Sequence, residues 1–522
     1  HLQSPLPSDI NTSIPTGSNG PLLRFHYTNV VDSSLSQQSN FLGTSVSFDG
    51  SKLTDYVEVD NTIYAGDLWQ TFEIQGIKPF GIHSLAGDVE LTIPPVPVAP
   101  PSYSTVITVG PAGADYTTDG MDDQIEINNA ILAANTAGGG TVQLMQGTFV
   151  ISAPIRLLSN VNLLGQGIGL TQIVVKDNFG NNLKGMLTLP SSANHSNIVV
   201  QDITLDGNRQ NQYTGSVYGF NSEDLNVGRY EFVWLNRVEA KNCSVYGFAA
   251  NRSIRHLYIT NCSARNNGLE GFIIDACEYG VVMNNVSEYN GRNGFDLYAT
   301  VHHFFFDSNT SQGNGQDGFM IEDNTYAVIL QKNTSSNNAR YGMNFFQSKG
   351  GVVQLNLLED NRGSGIGLSG NTNNVFLFNN TLRRNQTPGI YLSRAVNTVI
   401  ENNLVELSQG HGIRVYRSSY NLIRNNTILN NSQEQSGYRS GVNLDDDQVT
   451  FSMYNAILGN TIISNTYKRI AYGVKEVASG NNWNLVANNA IQGALTGGVS
   501  ITGTNSLAFG NTYEAIALGT ET

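Results

Sequence analysis

A glycine recurs along the middle of this chain at an almost constant interval. The repeated positions, 23 or 24 residues apart, are Gly247, Gly271, Gly294, Gly318, Gly342, Gly365, Gly389 and Gly412. Each glycine is followed by a short stretch in which apolar residues alternate with others, such as GFIID, GFDLY and GIRVY. A period of this length with one strand in every repeat predicts a solenoid, in which successive repeats stack as the coils of one column.

Two columns of asparagine follow the same period. One column stands nine residues before the glycine and contains Asn285, Asn309, Asn333, Asn356, Asn380 and Asn403. The other stands four residues before it and contains Asn267, Asn290, Asn314, Asn338, Asn361 and Asn385. Identical amides in an in-register parallel stack hydrogen-bond to one another. Cys243 and Cys262 occupy these columns at the first regular repeats, where a small side chain fits, so we interpret them as structural.

The residues between the asparagine columns are short β-type runs such as HLYIT and AVILQ, without helical periodicity. The sequence therefore predicts an all-β chain folded as a right-handed parallel β-helix, with the hand taken from the general rule for parallel crossovers. The formal net charge of −14 argues against nucleic acid as a partner, because nucleic-acid binders carry basic patches. No apolar run reaches the length of about 18 residues that a membrane span needs, so no span is expected.

Three regions separate along the chain. Residues 1–93 contain short β-type runs without the later period, which indicates a small N-terminal β domain. Residues 94–104 are rich in proline and are interpreted as a stiff linker. Residues 105–515 form the predicted β-helix domain, and residues 516–522 a C-terminal tail. Apolar residues at helical spacing within about 119–136 predict one helix that caps the open end of the solenoid.

The repeat loosens after about residue 420. The later glycines, Gly441, Gly473 and Gly498, follow gaps of 29, 32 and 25 residues. The extra residues, which include SQEQSGYRS and TFSMYN, are expected to form loops that stand as walls beside the regular face. Binding residues are often found on loops that a rigid scaffold positions.

Strand alternation predicts which side chains face outward on the strand after each glycine. The first residue after the glycine is apolar and faces the core, so the second and fourth residues point outward. On successive coils these positions carry the acids Asp275, Asp296 and Glu322. The aromatic residues of the same strip are Tyr298, Phe346, Tyr391 and Tyr416, with Arg414 among them.

This strip has the composition of a glycan-cleaving site. Coils are about 4.8 Å apart, so the three acids lie on neighbouring coils. Closely spaced carboxyl groups can divide into a protonated general acid and an ionised partner, as glycoside hydrolysis requires. Both a retaining and an inverting spacing are reachable. Aromatic rings offer platforms for sugars, and an arginine can hold an acidic group.

Two other interpretations of the acids stay open. Outward carboxylates of a β-helix can simply be solvated charges that discourage aggregation. Clustered carboxylates can also bind Ca²⁺, so calcium is a candidate ligand although the expected chemistry requires no cofactor. Asp445, Asp446 and Asp447 form a second candidate cluster, which a surface loop also explains.

Residues 105–515 resemble the pectate-lyase-like β-helix superfamily, and the stretch from DGNRQN to GFDLY is similar to the catalytic module of mannuronan C5-epimerases. The family motif YGFDPHE stands here as YGFAANR, which keeps Tyr246 but has Ala249 and Asn251 in place of the acid and the imidazole. The family motif RHGFN stands as RNGFD, which keeps Arg292 but lacks the second imidazole. Asp275 matches a family aspartate. The resemblance implies the fold and substrate-binding roles for Tyr246 and Arg292.

The segment GIHSLAGDVELTI resembles a short motif found in phage tail fibres and tailspikes ahead of their receptor-binding region. This resemblance implies a homotrimeric virion protein that attaches to tail or baseplate proteins through its N-terminal domain. It also implies binding, and often depolymerisation, of a bacterial capsular or exopolysaccharide. Secretion is the alternative location.

The sequence therefore predicts a tailspike-type polysaccharide depolymerase with Asp275, Asp296 and Glu322 as catalytic residues. Sugar subsites would be formed by Tyr246, Arg292, Tyr298, Phe346, Tyr391, Arg414 and Tyr416. A glycoside hydrolase and a polysaccharide lyase both fit this description. Two alternatives remain: an alginate lyase or mannuronan C5-epimerase, and a noncatalytic glycan-binding adhesin or structural fibre.

Overall fold

The computed structural model describes four short strands near the N-terminus and residues 99–190, 194–222, 229–251, 254–465 and 469–515. Most of the predicted N-terminal β domain, residues 94–98 of the predicted linker and the predicted tail at 516–522 lie outside the described residues. No helix in the described part of the chain is both long and apolar enough to cross a membrane.

Four described strands belong to the predicted N-terminal domain. Thr62–Ala65 pairs antiparallel with Val89–Thr92, and Gln70–Phe72 pairs antiparallel with Phe80–Ile82. Antiparallel hairpin-like pairing contrasts with the parallel pairing of the later chain, which agrees with the absence of the glycine period here. The domain boundaries themselves stay a prediction.

One α-helix, Gln124–Thr136, occurs within the described ranges, together with a short 3₁₀ turn at Arg209–Asn211. Its buried side chains include Ile127, Ala130, Ile131 and Ala134, which join the core at the first coils. The predicted capping helix is therefore confirmed. It begins later than the predicted position 119, because the Asp123 carboxylate accepts hydrogen bonds from the backbone N–H groups of Gly120 and Val150 instead of capping an earlier turn.

The rest of the described chain winds into a parallel β-helix, as the sequence predicted. One sheet of 14 strands carries the strands that follow the periodic glycines, and we call it the glycine sheet. Its strands are Ile155–Arg156, Leu187–Leu189, Phe220–Ser222, Phe248–Asn251, Phe272–Asp275, Phe295–Tyr298, Phe319–Glu322, Met343–Phe346, Ile366–Ser369, Ile390–Ser393, Ile413–Tyr416, Ser440–Asp445, Tyr472–Glu476 and Gly497–Ser500.

A second parallel sheet of 30 strands closes the remainder of each coil. Its first part consists of Val106–Gly110, Gly140–Leu144, Val161–Leu164, His195–Asp206, Tyr230–Lys241, Ile254–Thr260, Glu278–Met283, His302–Asp307, Tyr326–Gln331, Lys349–Gln354, Asn373–Phe378, Val399–Glu401, Leu422–Arg424, Ala456–Leu458, Leu485–Ala487 and Leu507–Phe509. Its second part consists of Tyr116–Thr117, Gly147–Ile151, Thr171–Val175, Ser263–Arg265, Val286–Glu288, Thr310–Gln312, Thr334–Ser336, Leu357–Glu359, Thr381–Arg383, Leu404–Glu406, Thr427–Leu429, Thr461–Ile463, Ala490–Gln492 and Thr512–Glu514. The two long strands His195–Asp206 and Tyr230–Lys241 run through both parts.

Glycine is required at the corner where each coil enters the glycine sheet, because there is no room for a Cβ atom. A Cβ atom on Gly271 would lie 2.1 Å from the Ser287 Oγ and 2.7 Å from the Asn290 Nδ2. Both of these side chains are buried and belong to the next coil. The missing side chain therefore makes room for the interior polar column, and the next residue, Phe272, enters the core and stacks on Phe295 at 4.8 Å.

The asparagine columns form continuous interior ladders, as predicted. Each side-chain amide N–H donates to the side-chain oxygen of the asparagine in the next coil. Examples are Asn285 to Asn309 at 2.9 Å and Asn290 to Asn314 at 3.0 Å. Cys243 and Cys262 occupy the first places of these columns, are buried, and donate their backbone N–H groups to the next asparagine. Their structural role is confirmed.

Asn309→Ala should destabilise the column strongly. The side chain of Asn309 accepts from the backbone and amide of Asn285 and donates to Val282 and Asn333, all in the interior. Each buried group left without a partner costs about 1–3 kcal/mol, so we expect a loss of about 3 kcal/mol in the free energy of unfolding, measured by chemical denaturation. Gln386→Ala, at an exposed position, is the control with little expected change. Equal effects of both variants would contradict this account of the ladder.

Candidate active site

The outward positions of the glycine sheet align from coil to coil as the sequence predicted. Asp296 pairs in register with Met320, which precedes Glu322 by two residues. Asp275 pairs in register with Tyr298. Positions in register on parallel strands point to the same side of the sheet. The three predicted acids therefore share one face, with Asp296 placed diagonally from both Asp275 and Glu322.

The same face continues along the later coils. Tyr391 pairs with Arg414, and Tyr416 pairs with Asp445. The long insertions do not disturb the register. Phe346 and Tyr298 expose 36% and 38% of their surface, so both rings are available to a ligand. The predicted acids and aromatic rings therefore lie on the same face of the glycine sheet, on successive coils.

A further column on this face consists of the residues directly before the glycines, namely Tyr246, Glu270, Asn293, Asp317 and Tyr341. The sequence analysis named Tyr246 but missed Glu270, Asp317 and Tyr341 as members of the site. At each corner the glycine and the apolar residue after it both face the interior. The side chain of the residue before the glycine therefore lies on the outer face of the glycine sheet. A signal was present in the sequence as the motifs LEG and QDG, which place an acid next to two of the periodic glycines.

Asp296 is almost completely buried although it belongs to the outward row. It retains 4% exposure, and one carboxyl oxygen accepts a hydrogen bond of 2.9 Å from the Asn293 amide. The amide orientation of Asn293 is fixed because its oxygen accepts from the backbone N–H of Asp317 at 3.0 Å. The other oxygen of Asp296 has no hydrogen-bond partner among the described residues. Burial, followed by the charges of Glu322 and Glu270, raises the pKa of Asp296 well above its usual range.

The neighbouring carboxyl groups are also perturbed. Burial, with the nearby charge of Asp323, raises the pKa of Glu322 to about 7. Burial raises the pKa values of Glu270 and Asp317 as well, although each lies beside an arginine that opposes the shift. A pKa of about 7 leaves Glu322 partly ionised near neutral pH, and the raised pKa of Asp296 favours its protonated form. This is the division that acid and base catalysis needs.

Two arginines support this cluster from its edge. The Arg292 Nη1 lies 3.1 Å from the Glu270 Oε1, and the Arg340 Nε lies 3.8 Å from the Asp317 Oδ1. Asp317 also accepts from the Tyr341 backbone N–H at 2.8 Å. Tyr246 lies in the same column, and burial together with the charge of Glu270 raises the pKa of its phenol to about 12.

The predicted residues at the far end of the strip form a second group. The Arg414 guanidinium lies 5.5 Å from the ring centre of Tyr391 and 5.0 Å from that of Tyr416. It also lies 2.6 Å from Asp445, and Arg417 lies 2.9 Å from Asp447. Two members of the Asp445–Asp447 cluster are therefore paired with arginines. In the described part of the chain, no group of three or more His, Cys, Asp or Glu side chains is arranged to hold a metal ion.

With this geometry established, comparison with known proteins identifies the class. A family model described as "Right handed beta helix region" matches three overlapping stretches, 234–382, 297–442 and 371–513. Together these stretches cover more than half of the 522 residues. The chain belongs to the right-handed β-helix family, which confirms the predicted hand.

Among individual proteins, the mannuronan C5-epimerase AlgE3 of Azotobacter vinelandii is 36% identical over 190 residues, which is 34% of this chain and 10% of AlgE3. Alginate lyase 7 of the same organism is 34% identical over 190 residues, 22% of its length. The pre-neck appendage protein of Bacillus phage B103 is 26% identical over 186 residues, 21% of its length. The chain thus spans less than a quarter of each of these relatives.

Solved structures show the same likenesses. The A-module of the Azotobacter vinelandii epimerase AlgE4 superposes with a TM-score of 0.53 at 25% identity, covering 75% of this chain and 97% of the module. Pre-mature gene product 12 of bacteriophage phi29 superposes with a TM-score of 0.57 at 17% identity, covering 75% of this chain and 56% of that one. The resemblances to the β-helix superfamily and to epimerase modules, drawn from the sequence, are confirmed, and the comparisons add similarity to a phage appendage protein.

Proposed function

We propose that this chain is a tailspike-type phage protein that binds a bacterial capsular or exopolysaccharide and cleaves its glycosidic bonds. The observation that carries the proposal is the buried Asp296 carboxyl, with one oxygen lacking a hydrogen-bond partner, beside Glu322 on an outward face with exposed aromatic rings. Similarity to the pre-neck appendage protein supports a place in the virion. Similarity to proteins named as alginate lyase and mannuronan epimerase supports a polysaccharide as the substrate.

In this mechanism Asp296 is the general acid and Glu322 the general base. Asp296 donates its proton to the glycosidic oxygen as the bond between that oxygen and the anomeric carbon breaks. A water molecule forms the new bond to the anomeric carbon and gives its proton to Glu322. The diagonal placement on adjacent coils separates the two backbones by about 8 Å, from a spacing of about 4.8 Å across and two residues along. Inverting hydrolysis needs about 6.5–9.5 Å between the two carboxyl groups, and side chains on backbones at this separation can reach that range.

The remaining residues of the face would position the sugar. Tyr298 and Phe346 flank the acids with exposed rings, which stack on the apolar faces of sugar rings. Asp275 pairs with Tyr298 in register, and the charge of Asp323, followed by burial and the charges of Glu322 and Asp275, raises the pKa of the Tyr298 phenol. We assign Asp275 to the edge of the site, where it helps to hold that tyrosine protonated and able to donate a hydrogen bond.

Lyase or epimerase chemistry on a uronan is the second candidate, favoured by the 36% identity to the epimerases. Such chemistry removes a proton from C5 and needs a base. Tyr246 is the family residue retained here, but its pKa of about 12 keeps the phenol protonated at neutral pH. Asn293 occupies the second motif position and donates to Asp296. These observations support hydrolysis over proton abstraction.

The test is to incubate the protein with a panel of capsular and exopolysaccharides and to analyse the products. Hydrolysis predicts new reducing ends, loss of viscosity and no new ultraviolet absorbance. Unsaturated uronate absorbance would select the lyase, and a changed uronate ratio without chain shortening would select the epimerase. Binding without any product would select a noncatalytic adhesin. Homotrimeric assembly, attachment through the N-terminal domain and calcium binding stay predictions.

A further inference from the structure

Four arginines of the glycine-sheet face are paired with acidic side chains of the protein itself. Next to the acid cluster, Arg292 lies 3.1 Å from Glu270 and Arg340 lies 3.8 Å from Asp317. Glu270 and Asp317 are each only 1% exposed, so neither acid can move into solvent and leave its arginine free for a ligand. Both guanidinium groups therefore already have an acidic partner within the protein, although their side chains stay 45% and 51% exposed.

The far end of the face repeats this arrangement. Both the Nε and the Nη2 of Arg414 donate to one oxygen of Asp445, at 3.1 and 2.6 Å. Arg417 lies 2.9 Å from Asp447, and its guanidinium stacks over the ring of Tyr416. The guanidinium of Arg414, which would otherwise suit bidentate recognition of a uronate, is committed to Asp445.

Further acidic side chains lie beside the paired ones on this face. Glu322 and Asp323 are neighbours in the chain, and the charge of Asp323 helps to raise the pKa of Glu322. Two other cations lie farther along: Arg394 is on the exposed turn after Ile390–Ser393, and Lys475 lies over the ring of Tyr472 at 5.4 Å. A polyanionic ligand on this face would lie close to the negative charges of these acids, and the repulsion would weaken its binding.

We propose that the polysaccharide segment bound by this face is uncharged, an inference that rests on the proposed function. The class is a neutral polymer of hexoses, deoxyhexoses or N-acetylated sugars, held by ring stacking and neutral hydrogen bonds. Uronate, phosphate and sulfate groups are excluded from the strip by the protein's own ion pairs. This assignment separates the chain from relatives that are named for mannuronan and alginate.

The first test measures binding of the full chain to neutral glucans, galactans and mannans and to alginate and polygalacturonate. The proposal predicts neutral hits whose affinity changes less than about twofold between about 0.1 M and about 1 M salt, over which the Debye length falls from about 10 Å to about 3 Å. Hits restricted to uronate polymers, with affinity that falls with salt, would overturn it. Neutral binding without cleavage would count against the proposed hydrolysis and still support an uncharged ligand.

The second test releases one arginine. Asp445→Asn removes the carboxylate that holds Arg414, so the freed guanidinium should raise affinity for oligogalacturonate by about tenfold or more. Glu359→Gln is the matched control on the other sheet. It frees Arg383, paired at 2.6 Å, and removes one of the two acidic partners of Arg384, and it should leave oligogalacturonate binding unchanged. An equal response of both variants, or none from Asp445→Asn, would overturn the proposal. This result does not depend on whether the natural polysaccharide is in the panel.

Discussion

Asp296→Asn should abolish polysaccharide cleavage while binding persists. The amide has nearly the shape of the carboxylic acid, and its oxygen can still accept the hydrogen bond from Asn293. It has no proton to transfer to the glycosidic oxygen. Positioned proton transfer contributes about 10²- to 10⁴-fold to a rate, so kcat should fall by that factor. Reducing-end assays give kcat, and calorimetry with a cleavage product gives the affinity.

The control for this substitution is Asp360→Asn. Asp360 directly follows the strand Leu357–Glu359 of the second sheet, where it pairs with Arg384 at 2.6 Å, and it is not part of the glycine sheet. Its variant should cleave at the rate of the unaltered chain. Unchanged cleavage by Asp296→Asn, or an equal loss in both variants, would remove Asp296 from the mechanism.

The second large effect is on pH dependence. Glu322 must be ionised to act as a base, and its pKa is raised to about 7. We therefore expect kcat/KM to rise about tenfold per pH unit below pH 7, to level off above it, and to fall only where Asp296 loses its proton. Glu322→Gln should lose about 10²- to 10⁴-fold in kcat, and the rising limb with it. A profile that is flat between pH 5 and 8 would exclude Glu322 as the base.

The same ionisation should appear in stability, independently of any substrate. The folded-state pKa of Glu322 is raised above its ordinary value, so its contribution to stability is complete below the unfolded pKa and is lost as pH rises through about 7. Glu322→Gln carries no charge at any pH. Above pH 7 it should exceed the unaltered chain in free energy of unfolding by on the order of 2 kcal/mol, and below pH 4 the two should agree. A constant difference across this range would contradict the assigned pKa shift.

The sequence was sufficient for the architecture and for much of the face. The glycine period and the asparagine columns predicted the coil, the interior ladders and the register that places Asp275, Asp296 and Glu322 on one side. This worked because a parallel stack repeats one local geometry, so spacing in the chain converts directly into position on the surface. The capping helix was found for a similar reason, since its apolar residues recur at helical spacing.

Other parts of the site depend on three-dimensional detail that spacing does not encode. Glu270 and Asp317 were missed because two consecutive residues enter the interior at each corner, which shifts the simple alternation by one place. Strand alternation predicts that Asp296 points outward, but it does not predict how deeply its neighbours bury the side chain. The pairing of Arg414 with Asp445 joins residues on either side of a long insertion. Spacing in the chain therefore does not indicate that the guanidinium is bound to a carboxylate of the protein itself.

The most direct test of the central claim is a crystal structure of the Asp296→Asn variant with an oligosaccharide from a polymer that the unaltered protein cleaves. The account predicts a sugar chain lying along the glycine-sheet face, with the scissile glycosidic oxygen within about 3 Å of the amide at position 296. Glu322 should lie across the anomeric carbon with a water molecule between them. A sugar bound to another face of the column, with residue 296 out of reach of any glycosidic oxygen, would contradict it.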